Sequence, residues 1–205
     1  MSSRIFDNTQ NAFSLKSDSE VERAYFLFKM ISKEPLVRIG TAVTKFALNA
    51  SLPVEGLVRS TVFDHFCGGV NEVDCLPVVD KLYGKGVSSV LDYSVEGKAT
   101  EEQFDACVEK VVELTNFAEK KDAMPISVFK PTGVGRFEVW RKITEKEPLT
   151  DNEQEEWERI VARFDTICKR AKETDVEVLI DAEESWMQDA ADDLVAQMME
   201  KYYTE

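Results

Sequence analysis

Hydrophobic positions recur with two rhythms along this chain, and the change falls near residue 85. Before it the spacing is helical. Ser19-Glu-Val-Glu22 has the form of a capping box and predicts the start of a helix carrying Ala24, Tyr25, Phe28 and Ile31 on one side. Pro35 and Pro53 bracket a second predicted helix, Leu36 to Leu48. A short segment, Val58 to Phe66, runs into Cys67-Gly68-Gly69, and a further helix, Val73 to Tyr83, ends at Gly84 and Gly86. Residues 1–85 are therefore expected to form an N-terminal helical segment.

After residue 85, apolar runs alternate with amphipathic stretches. Val87 to Tyr93, Pro125 to Lys130 and Val176 to Asp181 read as three strands, the second closed by Pro131 and Gly133. Thr100-Glu-Glu-Gln103 caps a helix with Phe104, Cys107, Val108, Val111 and Leu114 on one face. Thr150-Asp-Asn-Glu153 caps another, striped by Trp157, Ile160, Val161, Phe164, Ile167, Cys168 and Ala171, and Ser185-Trp-Met-Gln188 is expected to cap the last. The order βαβαβα with Val- and Ile-rich strands predicts an α/β fold with a parallel sheet. Three such units fall short of the eight, in roughly 250 residues, that close a barrel. An open three-stranded sheet also leaves both edges unpaired. The expectation is a partial (βα)8 TIM-type barrel in residues 86–205, the front part of a longer one.

Composition narrows the function classes. Of 205 residues 43% are hydrophobic and 31% charged, with 25 basic against 39 acidic side chains and a net charge of −14. That field repels phosphate backbones, which argues against nucleic acid as a partner. The most apolar early stretch, Leu36 to Val54, is interrupted by Arg38 and Lys45 and reads as a packed or surface helix rather than a span. Met1-Ser-Ser-Arg-Ile-Phe-Asp-Asn lacks an apolar signal core, so a cytoplasmic location is expected. Cys67, Cys75, Cys107 and Cys168 form no C-x-x-C and His65 is the single histidine, a pattern of buried free thiols rather than of disulfides, zinc or a histidine-dependent nucleophile. His65 is expected to pack or cap near Gly68-Gly69, and Trp157 and Trp186 to belong to the core.

Ligands of parallel α/β folds sit beyond the carboxyl ends of the strands. Those ends carry Asp92 and Glu96, then Lys130, then Asp181, Glu183 and Glu184. A lysine flanked by carboxylates suits a zwitterionic small molecule, the lysine for its carboxylate and the acids for its amine. Lys130 and Asp181 end apolar runs, where an unpaired buried charge is costly, so a functional and a structural role weigh evenly there. Asp92, a candidate wall of the pocket, and Glu96 weigh less. The three acids after the third strand are also a weaker candidate for a divalent metal, and Gly133-Val-Gly135 is too short for a phosphate cradle.

Leu91-Asp-Tyr-Ser-Val-Glu-Gly97, Val128-Phe-Lys-Pro-Thr132 and Leu179-Ile-Asp-Ala-Glu-Glu-Ser185, in that order, resemble the proline dehydrogenase (proline oxidase) family, nearest to its stand-alone bacterial members. Phe66-Cys-Gly-Gly69 adds to the likeness, and Ile-Asp-Ala-Glu-Glu is its most specific part. The resemblance covers essentially the whole chain but only the N-terminal portion of the family. It implies a flavin-containing (βα)8 barrel that oxidises L-proline to 1-pyrroline-5-carboxylate, passing a hydride to FAD and electrons to a membrane quinone. By the same resemblance Lys130 contacts the substrate carboxylate, Asp181 is the catalytic aspartate near the reacting ring, and Ala182 touches the flavin. Glu96 ion-pairs with a substrate-binding arginine and gates the pocket, and a peripheral contact with the inner face of the membrane is implied.

Two departures matter. Val70 stands where the family usually has an acid. The family's glutamine and arginine strand ends that hold FAD, and its last helix with a tyrosine and paired arginines, have no counterpart in these residues. The chain alone is therefore expected to bind FAD weakly and not to turn over, with Glu96 and Asp181 lacking cationic partners in an acidic rim. Two other readings stay open: a lyase of the same barrel class using Lys130 as a Schiff-base amine, and a non-catalytic relative that self-associates through its open sheet edge.

Overall fold

The computed structural model describes residues 7–93 and 99–203. The chain divides into two units between Gly84 and Lys85. In the first unit every described element is helical: α1 (Thr9–Ala12), α2 (Asp18–Ile31), α3 (Glu34–Asn49), α4 (Glu55–Val58), a π-helical turn (Arg59–Phe63), α5 (Asp64–Phe66) and α6 (Glu72–Tyr83). The capping box of α2 lies two residues before the predicted one. Ser17 Oγ accepts from Glu20 N at 3.3 Å and Glu20 Oε2 accepts from Ser17 N at 2.7 Å. That register sets Asp18 and Glu20 in the first turn, where the helix dipole favours them, and leaves Ser19 only a 3.1 Å contact with the Ser17 hydroxyl. Pro35 falls in the first turn of α3, where its missing N–H costs nothing.

His65 packs edge-on against Phe28 and Phe66, with ring centroids 5.3 and 4.9 Å away. Ala47 and Val79 are buried, whereas Phe26, Ile39, Val43, Phe46 and Leu57 are exposed. Cys67 is exposed rather than buried, because it lies past the end of α5 in extended backbone.

The second unit holds β1 (Val90–Leu91), α7 (Glu101–Ala118), β2 (Ile126–Phe129), a 3-10 turn (Pro131–Gly133), α8 (Phe137–Thr144), α9 (Asp151–Thr174), β3 (Glu177–Ile180) and α10 (Gln188–Tyr202). Its sheet is parallel in the order β1-β2-β3. The fold is thus α/β with a three-stranded parallel sheet. The first strand is much shorter than the seven-residue run of its sequence pattern. Among the described residues it pairs with β2 alone, and Val87 and Val90 stay exposed.

The boxes Thr100–Gln103 and Thr150–Glu153 cap α7 and α9 as their spacing predicts. Phe104, Cys107, Val108, Val111 and Leu114 of α7 are buried, as are Ile160, Phe164, Ile167, Cys168 and Ala171 of α9. Each large apolar side chain so placed contributes about 1.5–3 kcal/mol. Helix α8 has no counterpart among the predicted elements. It exists to seat Trp140, fully buried, edge-on to Trp157 at 5.2 Å and tilted against Phe164 at 5.6 Å. Helix α10 begins at Gln188 with no side-chain cap, not at Ser185. Met187 is fully buried, and seating it in the core turns Trp186 outward to 49% exposure, so Trp186 is not a core residue.

Alternation along the strands sorts the sheet's two faces. Phe129 meets Phe164 of α9 at 4.9 Å, Ser127 Oγ lies 3.1 Å from Thr115 Oγ1 of α7, and Val178 and Ile180 pack on the core. Val128 and Lys130 on one strand, and Leu179 and Asp181 on the next, therefore belong to the face away from those helices. Beyond β2 the chain is held down by the buried Arg163 of α9. Its guanidinium donates to the Val134 carbonyl at 3.1 Å, to Asp105 Oδ1 at 2.6 and 2.8 Å and to Glu101 Oε2 at 2.7 Å.

Candidate functional site

The register of the sheet assembles the site. Val128 pairs with Leu179 and Phe129 with Ile180, so the next rung sets Lys130 beside Asp181. The Asp181 N–H donates to the Phe129 carbonyl at 3.1 Å and extends the ladder to that rung. The two side chains leave the same face, and Lys130 Nζ donates to Asp181 Oδ2 at 2.6 Å. Both are half-buried. The hydrogen bond to Asp181 pushes the Lys130 ammonium above its ordinary pKa; burial opposes this, and the charges of Asp181, Asp92 and Glu183 add to it.

One same-face step further, Thr132 meets Glu183. The Thr132 N–H donates to Glu183 Oε2 and its hydroxyl to Oε1, both at 2.8 Å. The Glu183 N–H in turn donates to Gln188 Oε1 at 3.1 Å, in the first turn of α10. A shallow recess opens where the ends of β1 and β2 meet α7, lined by Tyr93, Cys107, Val111, Phe129, Lys130 and Thr132 among others; Asp181 does not line it.

The structure thus brings together Lys130 and Asp181. Asp181 does not lack a cationic partner, contrary to the expectation for the isolated chain, because the parallel register delivers Lys130 to it. Ala182 is exposed immediately beyond Asp181, and Asp92 is exposed at the end of β1. Glu96 lies outside the described residues. Glu183, a candidate metal ligand by sequence, has both carboxylate oxygens engaged by Thr132, while Glu184 is exposed. Sequence reasoning missed Thr132 and Tyr93; the signal for Thr132 was its i+2 spacing from Lys130, which carries it to the same side.

Chemically, the pair is a preformed dipole. It can exchange partners with a molecule carrying one carboxylate and one ammonium and leave no charge unpaired. It is poorly suited to Schiff-base formation, which needs a neutral amine with a lowered pKa. An ammonium bonded to a carboxylate at 2.6 Å, with its pKa pushed upward, is the reverse of that.

The profile of the Proline dehydrogenase family matches residues 75–205, more than half of the chain. Among individual proteins, proline dehydrogenase 1, mitochondrial, of Caenorhabditis elegans is 34% identical over 124 residues, covering 58% of this chain and 19% of its own length. The corresponding Arabidopsis thaliana protein is 26% identical over 225 residues, covering 88% and 44%. The carbapenem antibiotics biosynthesis protein CarD of Pectobacterium carotovorum subsp. carotovorum is 32% identical over 148 residues, covering 72% and 39%. The chain spans less than half the length of each of these relatives. The match includes all three strands and the Lys130–Asp181 rung, and the chain belongs to the proline dehydrogenase family.

Proposed function

We propose that this chain supplies the substrate-reading strand ends of an FAD-dependent oxidation of L-proline to 1-pyrroline-5-carboxylate, with β1–β3 as the first strands of a (βα)8 barrel. The observation that carries the reading is the Lys130–Asp181 pair at adjacent strand ends inside the matched region. Proline is a zwitterion. Its carboxylate takes the Lys130 ammonium, which frees Asp181 to receive the ring nitrogen, so one internal ion pair becomes two and each charge keeps a partner. That exchange orients the ring by its two ends, the geometric contribution a protein makes to cofactor chemistry. Ala182, exposed next to Asp181, leaves room for a flat ring system at that strand end. The surrounding carboxylates Asp92, Asp181 and Glu184 do not suit a diphosphate, so the described residues fit only the ring of FAD. When bound, the flavin supplies the acceptor for the hydride that leaves the substrate.

Quinone as the onward electron acceptor, and a cytoplasmic site touching the inner face of the membrane, complete the reading. Among the described residues no helix is long and apolar enough to cross a membrane. The test is to titrate the chain with FAD, then add L-proline and follow bleaching at the flavin absorbance maximum and saturable binding of L-proline. Saturation by L-proline but not by pyrrolidine, which lacks the carboxylate, is expected. Lys130→Met should weaken it by roughly tenfold or more, the loss of one charge-assisted hydrogen bond. Saturable uptake is expected whether or not the flavin bleaches, and a folded chain that shows no saturable uptake of L-proline would overturn the proposal.

A further inference from the structure

Lys130 is a long side chain on a short strand end, and something must fix its backbone for its ammonium to have a defined place. The sequence after it offers little local help. Pro131 has no N–H, Lys130 as the N-cap residue of the 3-10 turn makes no side-chain cap bond, and the first free donor of the turn is the Thr132 N–H. That donor is satisfied from the neighbouring strand end, by the carboxylate of Glu183, whose second oxygen takes the Thr132 hydroxyl. Glu183 therefore caps, from 51 residues away, the turn that follows Lys130.

The clamp is itself anchored. The Glu183 N–H is held by Gln188 Oε1, and the Gln188 amide donates to Asp192 Oδ1 at 2.7 Å along α10. Because Thr132 lies two residues past Lys130, and Glu183 two residues past Asp181, one clamp restrains both strand ends just beyond the ion pair. On the other side of the turn, the Gly133 N–H donates to the Lys130 carbonyl at 2.9 Å, and Arg163 holds the Val134 carbonyl. The Lys130 backbone is pinned between these restraints in extended geometry, φ −105° and ψ 136°.

We propose that Glu183 is a positioning residue: by spanning the N–H and hydroxyl of Thr132, its carboxylate fixes the Lys130 ammonium against Asp181 and so sets where a substrate carboxylate is received. The consequence for substrate rests on the proline reading above; the placement of Lys130 does not.

Two conservative variants separate reach from charge. In Glu183→Gln the amide oxygen still accepts from the Thr132 N–H and its NH2 group donates to the Thr132 hydroxyl, so geometry is kept and charge is lost. In Glu183→Asp the charge is kept, but a side chain one methylene shorter cannot span both donors. The readout is the Nζ resonance of Lys130 in the full chain labelled with 15N-lysine, identified by its disappearance in Lys130→Arg. Water exchange of the Nζ protons measures how firmly the ammonium is held. Exchange in Glu183→Gln is expected within about twofold of the wild type, and in Glu183→Asp roughly tenfold faster or more, the loss of one charge-assisted bond.

Equal exchange in Glu183→Asp and the wild type would overturn the inference. So would Glu183→Gln exchanging as fast as Glu183→Asp, because a side chain of full reach would then hold Lys130 no better than one that cannot span both donors. A wild-type Lys130 signal too fast to observe would also overturn it. Adding L-proline distinguishes the two proposals: a Lys130 resonance that ignores L-proline, with the variants still ranked as expected, removes the substrate reading and leaves the positioning role standing.

Discussion

Gly135 sits in the loop that carries the chain away from Lys130, and Gly135→Ala tests how tightly that loop is pressed on the core. A Cβ built there falls 2.3 Å from Cγ1 and 2.4 Å from Cδ1 of Ile160, and 3.3 Å from Trp140 Nε1. Non-bonded carbons settle about 3.5–4.0 Å apart, so both Ile160 contacts are short by more than an ångström. Neither neighbour has room to retreat, Ile160 being 1% and Trp140 0% exposed. Overpacking of this kind costs about 1–3 kcal/mol. The backbone of Gly135 lies outside the left-handed region, so alanine also gains about 0.4–1 kcal/mol from a less flexible unfolded chain. The net expectation is a destabilisation of about 1–2 kcal/mol.

Urea unfolding followed by tryptophan fluorescence reads this directly. Trp140, Trp157 and Trp186 are all of the chain's tryptophans, and all lie beyond Lys85, so the signal reports the second unit alone. With a slope near 2 kcal/mol/M the midpoint should fall by roughly 0.5–1 M at unchanged slope. Ile160→Ala alone should cost about 2–5 kcal/mol through its cavity. In the double variant the new methyl group occupies space that Ile160 vacated, so the cost should fall short of the sum by about 1 kcal/mol or more. An unchanged midpoint in Gly135→Ala, or strict additivity in the pair, would refute the steric account.

Two further outcomes follow from charges and thiols in the same unit. The Glu153 carboxyl is held down at about 2, first by its bond to Lys142 and then by the Thr150 N–H. A folded value below the unfolded 4.5 means its contribution is complete above about pH 4.5 and is lost as the pH falls toward 2. The gap in urea midpoint between wild type and Glu153→Gln should therefore close across that window; a gap independent of pH contradicts the assignment. Cys67 is exposed, whereas Cys107 and Cys168 are buried, and burial pushes the Cys168 thiol up to about 11. Iodoacetamide at pH 8 should label Cys67 in the native chain and reach Cys107 and Cys168 only in denaturant, as a peptide map would show. Native labelling of Cys168 at the rate of Cys67 would count against the packing of α9.

The elements legible from sequence were those whose start signal and apolar stripe agree. Thr100 with Gln103, and Thr150 with Glu153, each precede a long helical stripe, and both boxes form. Where two signals overlapped, local pattern could not choose. Ser17-x-x-Glu20 and Ser19-x-x-Glu22 are equally good boxes on paper, each placing two acids in the first turn, and it is the first that forms. Ser185-x-x-Gln188 also matches the box, yet burial of Met187 outweighs a cap worth about 1 kcal/mol. Helix α8 was hidden by the turn residues Pro131, Gly133 and Gly135 just before it, although Phe137, Trp140 and Ile143 carry its apolar spacing.

The site shows the same division between local and non-local information. Lys130 and Asp181 stand out in the sequence because each is a charge ending an apolar run. That they bond to each other depends on register, which no single strand encodes. A slip of one residue between β2 and β3 would set Lys130 beside Ile180 or Ala182 and turn the carboxylate to the other face. What holds that register is the packing of Phe129 on Phe164, and of Val178 and Ile180 on the core, all on the helix-facing side. The Thr132–Glu183 bond then depends on the same register, extended one same-face step. The polar chemistry on one face of the sheet is thus specified by apolar packing on the other. For that reason Thr132, an uncharged residue on its own strand end, meets Glu183 just beyond the Lys130–Asp181 pair.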